Sequence, residues 1–239
     1  MPLRPWLPID PDIQEEEHWI PLSDLMTGLM VIFLLIAVMY MLKVEADADR
    51  IKTVAIAYSE IRDALYADLH AEFQTDLPRW KAELVKNDLT IRFTEPEILF
   101  ANGSRELKPE FREILSDFFP RYIGILDSPK YRGSISEIRI EGHTSSEWLF
   151  KTSAEDAYFR NMELSQARTL STLTYLLELP AIQPFRPWLT RCLTASGMSS
   201  SRPILNADRT EDAERSRRVE FRVRTDAEAR IAKILEMSR

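Results

Sequence analysis

The 239 residues carry a formal net charge of −7, which gives no electrostatic reason to expect nucleic acid as a direct partner. The single cysteine, Cys192, excludes an intrachain disulfide; it is interpreted as a buried free thiol, with an intermolecular disulfide as the alternative. His18, His70 and His143 lack the spacing of a metal site, and there is no phosphate-binding loop or nucleophile elbow, so the sequence predicts a protein that is not an enzyme.

An apolar, uncharged run from Leu25 to Leu42 follows a proline-rich, acidic leader, residues 1–18. A helix needs about 20 apolar residues to cross a hydrocarbon core of about 30 Å, so we predict a transmembrane helix over residues 19–43. A cleaved signal peptide is the alternative, because Ala46-Asp47-Ala48 resembles a cleavage site. The acidic leader and the length of the run favour an uncleaved anchor.

Residues 44–88 carry apolar residues at nearly helical spacing, with charges between them, until Pro78 interrupts the pattern. This pattern predicts a helical linker, either a spacer helix or a dimeric coiled segment.

An alternation of strands and helices then predicts a compact α+β domain over residues 89–225. Period-two apolar patterns indicate strands near residues 89–93, 135–140, 193–195 and 219–223. Helical spacing indicates helices over residues 107–126, with Pro109 near the start, and over residues 161–180. Residues 226–239 are predicted to form a terminal helix.

Several motifs of this domain resemble the OmpA-like peptidoglycan-binding domain. The stretches IEGHTSS, NMELSQART, SGMSSSRP and ERSRRVEF occur in that family's order, after an opening IRFTEPEILFANGSRELKPEF. The resemblance implies a mixed sheet with flanking helices. It also implies that the loop after the GHT strand and the following helix hold the diaminopimelate carboxylates and amine of a peptidoglycan stem peptide.

Six residues match the binding positions of that family. Arg168 is expected to bind a ligand carboxylate through its two-pronged guanidinium, and Asn161 to hydrogen-bond the ligand or the loop. Leu164 is expected mainly to pack. The remaining candidates are Thr144, Arg217 and Arg218. The family's closing arginine pair borders the pocket, so one of Arg217 and Arg218 is expected to help in binding, with a surface position on the strand as the alternative.

Two positions depart from the family pattern. Ser145 stands where the family usually has an aspartate that meets the ligand ammonium, and Arg160 stands where an aromatic residue is common. An acid from the neighbouring Ser146-Glu147 is the substitute that the sequence offers.

An N-terminal span with an acid at its entrance, joined to an OmpA-like domain, resembles the B subunits of ion-driven stators. This family includes flagellar MotB and the corresponding subunit of Zorya anti-phage systems. The stretch PLSDLMTGLMVIFLLI is similar to its membrane signature, which implies that Asp24 carries H⁺ or Na⁺ and that Ser23 and Thr27 assist the ion path. The alternative is that Ser23 and Asp24 only cap a helix.

The resemblance also implies partners and a location. We expect a homodimer inside a pentamer of a multi-pass MotA-like subunit, tethered to peptidoglycan and acting indirectly on cytoplasmic effector proteins. The N-terminus is expected in the cytoplasm and the C-terminal domain in the periplasm of a bacterial inner membrane. Arg4 before the span and Lys43, Arg50 and Lys52 after it favour the opposite orientation, but a wall-binding domain outweighs them.

The acidic leader differs from the basic leader of flagellar relatives and favours a role in anti-phage defence. A flagellar-type stator subunit and a purely structural wall anchor are the alternatives.

Overall fold

The fold is taken from a computed structural model, which describes residues 16–148 and 152–225. Helix α1 spans Glu16–Phe73, and its part from Leu22 to Thr53 is long and apolar enough to cross a membrane. Most of the leader and the predicted helix over residues 226–239 lie outside the described residues.

The N-cap alternative for Ser23 and Asp24 is wrong. An N-cap residue stands immediately before the first helical residue, whereas α1 is already helical at Glu16. Asp24 therefore lies inside the helix, and capping gives no reason for its presence.

The chain divides between Thr53 and Val54 into two compact units. The second unit therefore starts well before the predicted boundary at residue 89. Leu65, Leu69 and Phe73 of α1 are fully buried in its core. The end of the predicted linker is thus part of the domain, because its apolar residues pack there.

A five-stranded mixed sheet forms the centre of the second unit, with the strand order β1-β2-β5-β3-β4. Strands β3 and β4 are parallel, and the other neighbours are antiparallel. The strands are β1 Ala82–Val85, β2 Thr90–Phe93, β3 Ile135–His143, β4 Leu193–Gly197 and β5 Arg218–Thr225. Four of them confirm the predicted strands, whereas β1 was not predicted.

Five further helices accompany the sheet: α2 Pro96–Leu99, α3 Pro109–Leu126, α4 Ala154–Glu178, α5 Arg186–Cys192 and α6 Ala213–Ser216. Short 3₁₀ turns cover Arg132–Ser134 and Pro180–Phe185. Helix α4 begins seven residues before the predicted start. Ser153 caps it, since its hydroxyl accepts a hydrogen bond from the Asp156 N–H at 3.1 Å.

The core lies on one face of the sheet and is rich in aromatic residues. The ring of Phe118 on α3 lies 5.1 Å from that of Phe221 on β5 and 5.4 Å from that of Phe73 at the end of α1. Cys192 is buried as well, and burial raises the pKa of its thiol to about 11. Its burial favours the free thiol over an intermolecular disulfide.

Helix α4 lies directly on the sheet because two glycines leave room for it. Gly142 on β3 and Gly197 on β4 are paired neighbours. A Cβ atom on Gly142 would lie 2.7 Å from Cγ2 of Thr169, and one on Gly197 would lie 2.4 Å from the backbone N of Gln166. Both separations are far below an ordinary van der Waals contact, so neither position has room for a side chain.

The opposite face of the sheet carries a buried network of charged residues. The Nε atoms of Arg92 and Arg218 each lie 2.7 Å from Oε1 of Glu220. His143 Nε2 lies 3.5 Å from Oε2 of Glu141 and 3.7 Å from Oε2 of Glu220. The side chains of these two acids and His143 are at most 2% exposed, so their charges must be balanced within the protein.

Replacing Gly197 with alanine tests the close approach of α4. The new methyl group meets a backbone atom that cannot move without shifting the helix, so we expect Gly197→Ala to destabilise the domain by about 1–3 kcal/mol. The measurement is urea unfolding of residues 54–239, followed by tryptophan fluorescence. Gly124→Ala in α3 is the control, since a Cβ there meets nothing within 4 Å and helix propensity favours alanine. Equal stability of both variants would contradict the close approach.

The buried His143 predicts a pH dependence of stability. Burial, assisted by Arg218, lowers the pKa of His143 below 6.5 despite Glu141 and Glu220. As the pH falls, His143 therefore takes up a proton in the unfolded chain before it does so in the folded protein. The free energy of unfolding should fall as the pH drops below 6.5, by at most about 1.4 kcal/mol per pH unit.

In His143→Gln this slope should disappear at mildly acidic pH. The losses below pH 4.5 should persist, because Arg218 lowers the pKa of Glu220 in the folded state whether or not His143 is present. An unchanged slope above pH 5 in His143→Gln would show that another group is responsible. Urea unfolding of residues 54–239 from pH 4 to pH 8 provides the comparison.

Candidate functional site

A cavity of about 760 Å³ opens where the C-terminal end of β3 meets the middle of α4 and the N-terminal end of β5. All six residues predicted for ligand binding line it: Thr144, Asn161, Leu164, Arg168, Arg217 and Arg218. The fold therefore brings together side chains that are up to 74 positions apart in the sequence, counted from Thr144 to Arg218.

Helix α4 supplies Asn161, Leu164 and Arg168 from one face, because positions three and four apart lie above one another on a helix. The glycine contact with Gly142 and Gly197 places this face beside the end of β3. Since β5 runs antiparallel to β3, its first residues lie beside the same end, where Arg218 pairs with His143.

Arg168 is held by backbone carbonyls and not by an acid. Its Nε donates to the Ser104 oxygen at 2.8 Å, and its Nη2 donates to the Ala101 oxygen at 3.2 Å. The guanidinium also lies 4.8 Å from the ring centroid of Phe100. Burial and the neighbouring Arg217 lower the pKa of Arg168 to about 10, so it is still charged at neutral pH.

The two adjacent arginines at the start of β5, Arg217 just before the strand and Arg218 as its first residue, have different surroundings. The Arg218 side chain is 5% exposed; it contacts Glu220 and also donates to the Ser216 carbonyl at 3.1 Å. Arg217 is half-buried, and within residues 16–148 and 152–225 its side chain makes no hydrogen bond or ion pair. Arg217 is thus the member of the pair that is available to a ligand.

Arg168 likewise has no carboxylate partner among the described residues. Two guanidinium groups, one of which lowers the pKa of the other, therefore line one cavity, and neither makes an ion pair with an acid among the described residues. Such a pair has the chemistry to bind an anion, and a carboxylate in particular, through charge-assisted hydrogen bonds.

Asn161 organises the loop that follows β3. Its side-chain amide is buried and donates to the carbonyl oxygens of Ser145 and Glu147, both at 3.1 Å. Leu164 is half-buried at the cavity wall, as a mainly packing role predicts, and Thr144 is buried, with no hydrogen bond to its hydroxyl from the described residues.

The sequence did not predict the cluster of Glu141, His143 and Glu220, whose potential metal-ligand atoms lie within 4.8 Å of one another. Glu220 already contacts Arg218, and Arg202 lies 3.5 Å from Glu141. Both carboxylates therefore have cationic partners, and the charge balance favours an ion-pair network over a metal site. The alternation of charged residues along β3 and β5 is the sequence signal for this network.

The ion-path candidates lie in the first unit of the chain. Ser23, Asp24 and Thr27 are exposed on neighbouring turns of α1, and the Thr27 hydroxyl donates to the Ser23 carbonyl at 2.8 Å. Large apolar side chains on the following turns are exposed as well, up to Val44. This segment has the surface of a helix whose solvent is lipid or another apolar helix.

Comparison with known proteins places the chain in a family. No family model matches it. Among solved structures, a MotB-like protein from Desulfovibrio vulgaris is 26% identical, with a TM-score of 0.49, over 70% of this chain and 95% of that one. The periplasmic domain of Helicobacter pylori MotB is 20% identical, with a TM-score of 0.44, over 66% of this chain and 90% of that one.

The comparison with curated protein sequences shows the family. The Zorya protein ZorB of Escherichia coli is 46% identical to this chain over 223 residues, which cover 93% of this chain and 94% of the relative. Similarity at this level extends over the span, the linker and the domain together. The chain therefore belongs to the ZorB family.

Proposed function

We propose that this protein is the wall-anchored subunit of a MotB-like, ion-driven membrane complex that takes part in anti-phage defence. The observation that carries the proposal is the cavity in which Arg168 and Arg217 lack an acid partner within the described residues. Peptidoglycan stem peptides present fixed carboxylates, which are the groups such a pair binds best.

The membrane segment supplies the second half of the proposal. Asp24 lies inside α1 among exposed apolar residues, where capping does not explain it. A mid-membrane aspartate costs about 2.5–3.5 kcal/mol on insertion, and a proton that falls through 100 mV releases about 2.3 kcal/mol. The two energies are comparable, so the membrane potential is of the right size to drive proton exchange at Asp24.

The partners follow from this assignment. A homodimer would present two copies of Asp24 to a pentameric, multi-pass MotA-like subunit, here ZorA-like. The N-terminus would lie in the cytoplasm and the cavity in the periplasm, where it meets the wall. Effector proteins in the cytoplasm would respond to the complex and not to this chain alone. The transported ion is H⁺ or Na⁺.

Peptidoglycan binding should depend on the two arginines that lack acids. We expect Arg217→Gln to weaken co-sedimentation of residues 54–239 with purified sacculi at least tenfold, since a hydrogen bond to a charged group contributes about 1.5–3 kcal/mol. Arg217 is preferred to Arg168 for this test because its side chain holds no loop carbonyl. Arg168→Gln should reduce binding as well.

Arg186→Gln is the matched control, because Arg186 is exposed on α5 and does not line the cavity. Its co-sedimentation should equal that of the wild type. If a folded Arg217→Gln variant and a folded Arg168→Gln variant both sediment like the wild type, the cavity does not bind the wall.

Ion transport through Asp24 is tested in cells that carry the whole native operon. Asn keeps the size of Asp24 but cannot exchange a proton, so Asp24→Asn should restore phage plating to the level of cells without the operon. Asp49→Asn is the control, because Asp49 lies on the same helix beyond the apolar run. Protein amounts are matched by immunoblot.

Equal protection by wild type and Asp24→Asn would leave a structural wall anchor as the function. If the wild type itself gives no protection, a motility assay tests the flagellar alternative.

A further inference from the structure

The arginine cavity, of about 290 Å³, lies on the charged face of the sheet and is lined by four arginines: Arg139, Arg202, Arg222 and Arg224. Among the described residues that line it, Asp88 is the one acid. We propose that the arginine cavity binds a phosphate group, either of a free phosphate ion or of a phospholipid headgroup. This binding is separate from the proposed attachment to the wall and does not depend on it.

Two of the arginines face each other across neighbouring strands. Arg139 on β3 is the register partner of Arg222 on β5. The Cβ atoms of directly opposed residues in an antiparallel pair are about 4.5–5.5 Å apart, and like charges in this position destabilise a sheet. Arg224 follows Arg222 by two residues and therefore lies on the same face. The sheet thus concentrates positive charge where anions must compensate for it.

The acids of the chain compensate for only part of this charge. Three acids form ion pairs with the four arginines: Asp88, Glu137 and Glu141. Glu141 is fully buried, 3.5 Å from Arg202 and 3.7 Å from Arg139. Burial acts against ionisation, but hydrogen bonds and neighbouring cations keep the pKa values of Glu137 and Glu141 below their usual range. Four positive charges against three negative ones leave one positive charge over.

Arg202 has the donors to bind a further anion. Its side chain is 52% exposed and lies 3.5 Å from Oε2 of Glu141. Within residues 16–148 and 152–225, however, its guanidinium makes no hydrogen bond. Since a guanidinium has five N–H donors and no acceptor, an anion in the cavity can accept hydrogen bonds from Arg202 without breaking one that the fold uses.

The size and shape of the arginine cavity favour a phosphate group over a larger or flatter anion. Its volume is at the lower limit of ligand pockets, which is about 300 Å³, so it suits a small group. A planar carboxylate matches one guanidinium fork. The oxygens of a tetrahedral phosphate lie in several directions, so they can accept hydrogen bonds from arginines that approach from two strands and a loop.

The arginine cavity and the cavity beside α4 lie at opposite ends of β5. Arg218, the first residue of β5, lines the cavity beside α4, and Thr225, its last residue, lines the arginine cavity. A strand of this length spans about 23 Å, so both cavities can be occupied at once. Lys86, two residues before Asp88, lies 3.4 Å from Asp63 of α1. The chain therefore enters the second unit near the arginine cavity after leaving the apolar run, which favours a phospholipid headgroup as the source of the phosphate.

Calorimetry on the full chain in uncharged detergent micelles can test the site at constant ionic strength. The probes are inorganic phosphate, acetate and glycerophosphoglycerol, which is the headgroup of phosphatidylglycerol without its acyl chains. All titrations use Arg217→Gln as the parent, because this change weakens anion binding in the cavity beside α4. We expect the parent to bind both phosphate probes more tightly than acetate. The phosphate probe that binds more tightly identifies the source, a lipid headgroup for the diester and a free ion for inorganic phosphate.

Adding Arg202→Gln to the parent should weaken binding of both phosphate probes about tenfold, because a hydrogen bond from a charged donor is lost. Adding Arg202→Lys, which keeps the charge but not the fork, should give an intermediate affinity. Arg186→Gln is the control addition, because Arg186 is exposed on α5 and lines neither cavity. It should leave both affinities unchanged.

Three results would overturn the inference. The first is a parent that binds neither phosphate probe. The second is unchanged phosphate affinity after the addition of Arg202→Gln, in which case the arginines only neutralise the acids of the sheet. The third is acetate that binds as tightly as phosphate and depends equally on Arg202, since the site would then not be specific for phosphate. None of these results bears on sedimentation with sacculi, so the proposed wall binding is tested separately.

Discussion

The contact between α4 and the glycine pair on β3 and β4 is the constraint on which the site depends. A side chain at Gly197 would meet the backbone N of Gln166 at 2.4 Å, so the helix can lie this close only because Gly142 and Gly197 have no Cβ. The approach sets the position of Asn161 and Arg168 relative to the end of β3. Without this contact, Asn161 and Arg168 would not lie beside the end of β3, and the cavity would lack the wall that α4 forms.

The charged face of the sheet has a complementary effect on the arginines. Glu220 neutralises Arg218 inside the protein, whereas the preceding residue, Arg217, makes no ion pair with an acid among the described residues. A buried guanidinium needs an ion-pair partner within the protein, whereas a half-buried one at a cavity wall can pair with the anion of a ligand. The same end of the sheet therefore has one arginine that stabilises the fold and one that is free to bind an anion.

The local patterns succeeded for elements with a buried face and failed for the strand that has none. Strands β2, β3 and β5 and helix α3 follow from apolar spacing, since each has a clear buried face. Strand β1 is as short as β2, but all four of its residues are partly exposed, so alternation gives no signal there. The early start of α4 was readable from Ser153 and Asp156, because a hydroxyl residue followed by an acid three positions later is typical of a helix N-terminus. The end of the linker was misassigned because an amphipathic helix looks the same whether it packs on a domain or on a second helix.

By itself, the sequence determined the membrane span, the acid Asp24 within it, the α+β class of the domain and six of the residues that line the cavity, because these depend on local hydrophobicity and on ordered motifs. Only the tertiary structure decided which contacts these residues make. Asn161 holds the loop after β3, and His143 lies between two glutamates. Arg218 forms an ion pair with Glu220, whereas Arg217 has no such partner among the described residues. Two adjacent arginines cannot be distinguished from the sequence alone. Their difference arises because Arg218 lies in β5, where its side chain is buried beside Glu220, whereas Arg217 precedes the strand and is half-buried at the cavity wall.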